Sequence, residues 1–237
     1  ELGSGNSSKI RPLFDALPRL RAYVPIDIAA SSLARAARSV RRDYPTVKVL
    51  PLCADFSRRL ELSLPATGRA RRVVYFSGST LGNYEPADAV RLLSSMRQMA
   101  GDAGAALVGI DMVKERAVLE RAYDDSQGVT AEFNLNALRH LNRRLGIGFE
   151  LTQFRHRAVW MEAEQRIEMH LVSAVNQMIR VGAAVIRMLR GDFIRTECSH
   201  KYTPESFAGL AGQAGWRVQE SWTDQRRWFS VQLLSPA

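Results

Sequence analysis

The 237-residue chain contains only two cysteines, Cys53 and Cys198, and neither lies in a Cys-x-x-Cys pair or a Cys/His cluster. A disulfide framework and a zinc-ribbon site are therefore excluded. No apolar run approaches the roughly 18–20 residues that a membrane-spanning helix needs, and no segment resembles a signal peptide. We therefore expect a cytoplasmic protein with no membrane partner.

Motifs of several enzyme classes are also absent. The four histidines show no HxH, HxxxH or HExxH spacing, so we expect no metal site. Neither a Gly-x-Ser-x-Gly elbow nor a P-loop occurs. The composition, with 46% hydrophobic and 24% charged residues, is that of a globular protein, and the length suits one large domain or two smaller ones.

Lysine is scarce, although the chain is basic. Of the 33 basic residues, 29 are arginine, and the formal net charge is +9. Such a charge raises the question of nucleic acid, but the arginines form scattered pairs such as Arg41-Arg42 and Arg226-Arg227, which is typical of a solvated surface. We expect no nucleic-acid partner. A non-catalytic RNA-binding protein is a remote alternative, and it predicts steeply salt-dependent affinity.

Strand-like and helix-like segments alternate in the first half of the chain. The strand segments are almost entirely apolar, which predicts a parallel sheet covered on both faces. They span residues 21–28, 47–53, 72–77 and 105–112, and helices are predicted over 31–42, over 86–100, and from a cap at Ser7 and Ser8 to residue 17. The glycine-rich first turn normally follows a buried strand. We therefore expect a fragment of a longer protein, a doubly wound α/β half without its first strand.

The pattern changes beyond Val113. A helical stretch over 117–145 precedes alternating segments at 154–162, 166–174 and 193–202, which are typical of antiparallel strands. A helix over 204–214 leads into strands at 216–222 and 228–234. We therefore predict an α/β domain over residues 1–113 and an α+β domain over residues 114–237.

Three predicted strand ends in the first half carry candidate ligand-binding residues. The turn Glu1–Gly5 precedes Asp27, which ends the next strand, and Asp55-Phe56 follow the strand after that. Glycines allow close backbone approach, and an acid about 20 residues on can accept both ribose hydroxyls. An acid beside an aromatic ring can hold adenine. Each element has an ordinary structural alternative, a turn or a helix cap, but together they favour an adenosine-type ligand without phosphates.

Polar loops later in the chain can hold an amino acid. Asn83 ends the loop Gly78–Asn83 and offers both a donor and an acceptor to an ammonium and a carboxylate, although Gly-Asn is also a common turn pair. Tyr123-Asp124-Asp125 can either face a cation or cap a helix. Glu197 and Ser199 share one strand face with Lys201. This pair can bond an imidazole, or it can belong to an ordinary charged strand face.

Eight ordered segments, spanning nearly the whole chain, carry a resemblance to one family. They read ELGSGNSSK, YVPIDI, ADF, FSGSTLGN, GIDMVK, AYDDSQGVTAEFNLNALRHLNRRLG, RIEMHL and RTECSHKY. Together they resemble the histidine-specific methyltransferases, S-adenosylmethionine-dependent enzymes that make hercynine (Nα,Nα,Nα-trimethylhistidine) for ergothioneine biosynthesis. The resemblance implies a Rossmann-like cofactor core followed by a substrate domain. We take a monomer as the default.

The resemblance also assigns roles to residues. It implies S-adenosylmethionine contacts at the positions Gly3, Gly5, Lys9, Asp27, Asp55 and Phe56. Asn83 and Tyr123 match positions that hold the amino-acid end of L-histidine, and we take them as the catalytic pair, with Tyr123 or a water relaying the proton. Glu197 and Ser199 match the imidazole contacts, and Met169 matches a residue lining the side-chain pocket.

The chain also departs from the family pattern. Ser77 stands where proline is common, and we expect this sequence to lack the family's N-terminal segment, which contributes a further substrate tyrosine. The alternative function is that of a methyltransferase of the same family that acts on a modified histidine or another amino acid.

Overall fold

The computed structural model describes residues 1–58, 60 and 71–237. Its helices are α1 (Arg11–Ala16), α2 (Ala30–Asp43), α3 (Pro86–Ala100), α4 (Arg116–Tyr123), α5 (Val129–Leu145) and α6 (Pro204–Gln213). Its strands are β1 (Ala22–Tyr23), β2 (Ile26–Asp27), β3 (Lys48–Val49), β4 (Leu52–Cys53), β5 (Val73–Phe76), β6 (Ala105–Asp111), β7 (Phe154–Met161), β8 (Arg166–Ser173), β9 (Gln177–Val181), β10 (Ala184–Met188), β11 (Phe193–His200), β12 (Trp216–Thr223) and β13 (Phe229–Pro236). Short 3-10 segments cover Ser79–Asn83 and Leu151–Gln153.

The chain forms two compact units. Unit 1 contains Glu1–Ser79, Pro86–Ile110 and Pro204–Ala237, and unit 2 contains Thr80–Glu85 and Asp111–Thr203. The sequence boundary near residue 113 assigned residues 204–237 to the second domain, whereas the structure groups them with unit 1. The sheet supplies the reason, because β13 is hydrogen-bonded between β12 and β6. In the described part of the chain, no helix is long and apolar enough to cross a membrane.

The first two residues occupy a central position in the sheet of unit 1. The backbone N–H of Leu2 donates to the carbonyl of Tyr75 (3.0 Å), and the N–H of Ile26 donates to the carbonyl of Glu1 (2.8 Å). Leu2 also forms a parallel bridge with Ile26. The parallel pairs β1–β3, β2–β4 and β5–β6 extend the sheet on either side. The predicted α/β class with a parallel sheet is therefore confirmed.

Prolines divide two of the predicted strands. The segment over 21–28 becomes β1 and β2 on either side of Pro25, and the segment over 47–53 becomes β3 and β4 around Pro51. Proline has no N–H for a sheet ladder, although the Pro25 carbonyl still accepts from the N–H of Leu52 (2.9 Å). Each predicted strand therefore runs in one direction but is divided into two short strands.

The predicted cap of the first helix is wrong. Helix α1 begins at Arg11, and its N-cap residue makes no side-chain hydrogen bond. Ser7 has a left-handed φ of 54°, and its hydroxyl lies 2.8 Å from the Tyr23 hydroxyl. The serine side chain therefore ties the first turn to β1 instead of to the helix.

Unit 2 is built on the three-stranded antiparallel sheet β11-β8-β7. Helices α4 and α5 pack on this sheet, and its buried core includes Leu119, Leu138, Phe154, Ile167 and Leu171. The predicted antiparallel strands are confirmed. The hairpin β9–β10 was not predicted.

A bulge in β11 determines which side chains share a face. Arg195 is paired with His170 of β8, and Glu197 is paired with the next residue, Met169, so Thr196 is the extra residue of a bulge. Side chains opposite each other in an antiparallel pair point to the same face. Glu197 therefore lies on the face of Met169, whereas Arg195 lies on the other face.

Candidate active site

In unit 1, the glycine turn and the end of β2 are joined by a carboxylate. Asp27 Oδ2 accepts from the N–H of Gly5 (2.9 Å), and Oδ1 accepts from the N–H of Ala29 (2.9 Å). Gly3 has a φ of +64°, and a Cβ at this position would lie 3.5 Å from the Phe56 ring. The turn therefore approaches both the acid and the aromatic ring at the carboxyl ends of parallel strands.

The Asp55-Phe56 pair is held in place after β4. The Phe56 ring packs edge-on against Phe76, with 5.8 Å between ring centroids. Asp55 Oδ1 accepts from the Ser57 hydroxyl (2.6 Å) and from the Ser57 N–H (3.0 Å). These hydrogen bonds, the hydroxyl one first, hold the pKa of Asp55 below its ordinary value. Asp55 is therefore an ionised acceptor beside an aromatic face.

These residues fit an adenosine-type cofactor, and one residue was missed. Ser4 lies between the two glycines, and its buried Oγ has no hydrogen-bond partner among the described residues. Such an atom is rare unless something else binds it. The feature of the sequence that could have indicated Ser4 is its hydroxyl between the two glycines of the turn. Lys9, by contrast, is exposed, and its backbone carbonyl accepts from the Tyr75 hydroxyl (3.1 Å).

In unit 2, the structure brings four predicted substrate residues together in two hydrogen-bonded pairs. Asn83 Nδ2 donates to Glu197 Oε1 (3.1 Å), and the Tyr123 hydroxyl donates to Ser199 Oγ (3.0 Å). Glu197 and Ser199 are alternate residues of β11 beyond the bulge, so both side chains project from one face. The face presents a carboxylate, an amide and two hydroxyls.

Gly82 fixes Asn83 beside β11. Its carbonyl accepts from His200 Nδ1 (2.9 Å), and a Cβ on Gly82 would lie 2.5 Å from the backbone oxygen of His200. Only glycine allows this approach. The amide of Asn83 therefore reaches Glu197 because its neighbour has no side chain.

Met169, the fifth predicted substrate residue, lies on the same face. It is buried, with 4% of its surface exposed, and it is the direct cross-strand partner of Glu197. Partial burial raises the pKa of Glu197 above its ordinary value, and the Asn83 hydrogen bond and the charge of Lys201 oppose this shift. The arrangement is a carboxylate at the edge of an apolar wall, which suits a flat ring with one polar edge.

Two charged residues of this site were given no role from the sequence. Lys201 is fully buried, and its Nζ donates to the Tyr123 hydroxyl (2.8 Å) and to Ser199 Oγ (2.9 Å). The Nζ atom also lies 2.7 Å from Asp111 Oδ2. The only signal in the sequence was the alternation of Glu197, Ser199 and Lys201. Asp111 ends a strand far away in the chain.

Within the part of the chain that the structure describes, Asp125 forms no ion pair and instead accepts hydrogen bonds from the backbone. It caps helix α5 from before the N-cap residue Gly128, since its carboxylate accepts from the N–H groups of Gln127 (3.1 Å), Val129 (3.1 Å) and Thr130 (2.8 Å). The Thr130 N–H in particular lowers the pKa of Asp125 to about 2. The helix-cap interpretation of the two acids is therefore confirmed for Asp125. Among the described residues, no group of three or more His, Cys, Asp or Glu side chains could hold a metal ion.

The fold is the Rossmann-like fold of S-adenosylmethionine-dependent methyltransferases. A solved S-adenosylmethionine-dependent methyltransferase from Clostridium acetobutylicum aligns over 100% of this chain and 82% of its own, with a TM-score of 0.54 and 11% identity. The CcbJ methyltransferase from Streptomyces caelestis aligns over 100% and 87%, with a TM-score of 0.52 and 16% identity. These structures share the Rossmann-like fold.

The chain belongs to the histidine-specific, S-adenosylmethionine-dependent methyltransferase family, whose model matches residues 1–236. A histidine N-alpha-methyltransferase from Mycobacterium tuberculosis is 39% identical over 99% of this chain and 74% of its own length. Ergothioneine biosynthesis protein 1 from Neurospora crassa is 28% identical over 94% of this chain and 26% of its own length. A more distant relative, 24% identical over 95% of this chain and 72% of its own, is a 4-dimethylallyltryptophan N-methyltransferase from Epichloe festucae var. lolii.

Proposed function

We propose that this chain transfers methyl groups from S-adenosylmethionine to the α-amino group of L-histidine, three times in succession, and so makes hercynine for ergothioneine biosynthesis. The family and the names of its relatives support this function. The structural observation that carries it is the single face of β11 on which Glu197 and Ser199 are each bonded to a second polar residue, Asn83 or Tyr123.

Residues of unit 1 are proposed to hold the cofactor. S-adenosylmethionine, when bound, supplies an electrophilic methyl group on its sulfonium. Asp27 would accept the ribose hydroxyls, while Asp55 and Phe56 would hold the adenine by its amine and its ring face. Gly3 and Gly5 leave room for the ligand beside the backbone, and the exposed ammonium of Lys9 would meet its carboxylate.

The second proposed role belongs to Asn83 and Tyr123, which would hold the amino-acid end of histidine. Among the described residues, only Glu197 hydrogen-bonds the Asn83 side chain, and an amide has a further N–H and an acceptor oxygen. The tyrosine hydroxyl has a lone pair that Lys201 does not use. Orienting the neutral amine in this way accounts for most of the catalysis, because positioning contributes about 7–11 kcal/mol at best.

A product assay tests the function directly. The protein is incubated with histidine and S-adenosylmethionine, and the amino-acid product is identified by mass spectrometry. We expect histidine that carries three added methyl groups on the α-nitrogen. Unchanged histidine, from protein shown to be folded and cofactor-bound, would refute the proposal and favour another amino acid, such as a tryptophan derivative.

Glu197→Ala tests the assigned substrate contact. We expect a large loss of histidine binding and little change in S-adenosylmethionine binding, because only the first ligand uses the carboxylate. The matched control is Glu164→Ala, since Glu164 is exposed in a turn. An equal loss of both ligands in the Glu197 variant would show that the assigned role is wrong.

We further propose that the chain acts as a monomer on this small molecule and needs no nucleic acid. The scattered arginines support the absence of a nucleic-acid partner. Gel filtration with light scattering tests the first point, and an RNA-binding measurement at physiological salt tests the second.

A further inference from the structure

The ammonium of Lys201 is saturated by three oxygens. They are Asp111 Oδ2 at 2.7 Å, Tyr123 Oη at 2.8 Å and Ser199 Oγ at 2.9 Å. An ammonium has three N–H donors and no acceptor, so each of these oxygens must accept from it. The Asp111 carboxylate compensates the charge, which a fully buried lysine requires.

The hydrogen bonds from Lys201 and Tyr123 both end on Ser199 Oγ. The Tyr123 hydroxyl already accepts from Lys201, and it donates its own proton to Ser199 Oγ (3.0 Å). Ser199 Oγ therefore accepts twice, once from Lys201 and once from Tyr123. A hydroxyl has two lone pairs and one proton. The remaining capacity of Ser199 is to donate its proton.

Glu197 presents the opposite polarity on the same face. Its ionised carboxylate can only accept. The two residues alternate along the strand, so their Cα atoms are about 6.6 Å apart. A five-membered ring that lies against this face can hydrogen-bond with both side chains.

We propose that Lys201 is a positioning residue that sets the substrate specificity of this site. Lys201 fills one lone pair of Ser199 Oγ and holds the Tyr123 hydroxyl, whose own proton fills the other, so that Ser199 is left to donate. The pair Glu197 and Ser199 then binds a ring that has one N–H and one unprotonated nitrogen, which is a neutral imidazole in a single tautomer. An indole or a pyrrole lacks the acceptor, and an imidazolium lacks it as well. This inference rests on the proposed function.

The test compares histidine with its two pyrrole analogues, 3-(pyrrol-2-yl)alanine and 3-(pyrrol-3-yl)alanine. Each analogue keeps an N–H at one ring nitrogen and replaces the other nitrogen by C–H. Dissociation constants are measured by calorimetry in the presence of S-adenosylhomocysteine. We expect the wild-type protein to bind the better analogue roughly 10- to 100-fold more weakly than histidine, because the Ser199 donor is left unpaired.

Lys201→Met is the decisive variant. Ser199 regains a free lone pair and can rotate its proton elsewhere, so the ratio of analogue to histidine dissociation constants should fall to about threefold or less. A merely structural role would weaken both ligands by the same factor and leave the ratio unchanged, which would overturn the inference. The matched control is Lys114→Met. Lys114 also pairs with Asp111, through Oδ1 at 2.5 Å, and its removal should leave the ratio at the wild-type value.

A second measurement needs no variant, so it tests the inference even if the Lys201→Met protein does not fold. Histidine labelled with ¹⁵N in the ring is bound to the wild-type protein and observed by NMR. One protonated and one unprotonated nitrogen, without averaging, support the inference, and two protonated nitrogens overturn it. Failure of the wild-type protein to bind or methylate histidine would overturn the proposed function itself, and the inference with it.

Discussion

The Nε2 atom of His156 donates a 2.7 Å hydrogen bond to the backbone carbonyl of Tyr123, 33 positions earlier in the chain. Because a carbonyl can only accept, the ring proton lies on Nε2. The Nδ1 atom then accepts from Asn134 Nδ2 (2.9 Å). The side chain of His156 is 1% exposed. A buried histidine from β7 therefore anchors the last residue of α4, whose hydroxyl belongs to the candidate site.

Replacing this anchor should affect both stability and substrate binding. We expect His156→Ala to lower the free energy of unfolding by about 2–3 kcal/mol, since a buried carbonyl and amide lose their partner. The KM for histidine should rise more than the KM for S-adenosylmethionine. Urea unfolding and initial rates measure the two effects. His140→Ala is the control, because His140 is exposed on α5; an equally stable His156 variant would contradict the prediction.

Gly82→Ala should separate Asn83 from Glu197, although the substitution changes neither of these side chains. The new Cβ would lie 2.5 Å from the His200 carbonyl oxygen, so the loop or the strand must move and Asn83 must separate from Glu197. We expect a loss of stability of roughly 1–3 kcal/mol and a clear loss of histidine affinity, measured by calorimetry. Gly148→Ala is the matched control, since a Cβ there meets nothing within 4 Å. Equal behaviour of the two variants would refute the packing argument.

The cap of α5 predicts a particular acid sensitivity. The pKa of Asp125 is lowered from its ordinary 3.8 to about 2 by the N–H groups of the helix. A depressed folded-state pKa contributes stability that is present above about pH 4 and lost as the pH falls toward 2. Asp125→Asn should therefore lower the melting temperature at pH 6, and its deficit should shrink on acidification. Thermal melts between pH 6 and pH 2.5 measure this, and a constant deficit would count against it.

Ionisation of Glu197 should have the opposite effect on stability to ionisation of Asp125. Burial raises its pKa above the ordinary 4.5, so the folded state holds the proton more tightly than the unfolded state. The ionised carboxylate therefore costs stability at neutral pH, and this cost disappears as the pH falls through the folded-state pKa. We expect Glu197→Gln to be at least as stable as the wild type at pH 7 and yet to bind histidine poorly. A destabilised variant in urea unfolding at pH 7 would contradict this.

Asp27 should control cofactor binding. We expect Asp27→Ala to weaken S-adenosylhomocysteine binding roughly tenfold or more, because charge-assisted hydrogen bonds to the ribose are lost. The variant should also lose some stability, since the N–H groups of Gly5 and Ala29 lose their acceptor. Asp102→Ala is the control, because Asp102 is fully exposed. Unchanged affinity in calorimetry would remove Asp27 from the site.

Much of the fold followed from hydrophobic patterning. The predicted helix over 86–100 coincides with α3, and the helix over 31–42 matches α2 to within a residue. Proline effects were harder to foresee, because Pro25 and Pro51 divide strands whose apolar pattern continues through them. The first helix was placed by serine caps, but Ser7 instead bonds a tyrosine that is distant in sequence.

The functional side chains of the candidate site could be predicted from the sequence, but the contacts that hold them in place could not. Residue types such as Glu197 and Ser199 carry their chemistry in the sequence. The bulge at Thr196 does not, because register depends on the partner strand. The role of Lys201 also depends on its ion pair with Asp111. The alternation of residues along β11 gives no sign of this pair, because Asp111 lies on another strand. Supports of this kind arise from contacts between distant segments.

The chain leaves unit 1 after Ile110 and re-enters it at Pro204, and the two ends of this excursion are hydrogen-bonded together. The N–H of Tyr202 donates to the carbonyl of Asp111 (3.0 Å), and the N–H of Val113 donates to the carbonyl of Tyr202 (3.0 Å). During translation, residues 112–228 emerge from the ribosome after β6 and before its partner strand β13. The nascent sheet therefore has an open edge at β6, which invites pairing with other chains, until residues 229–236 have been made.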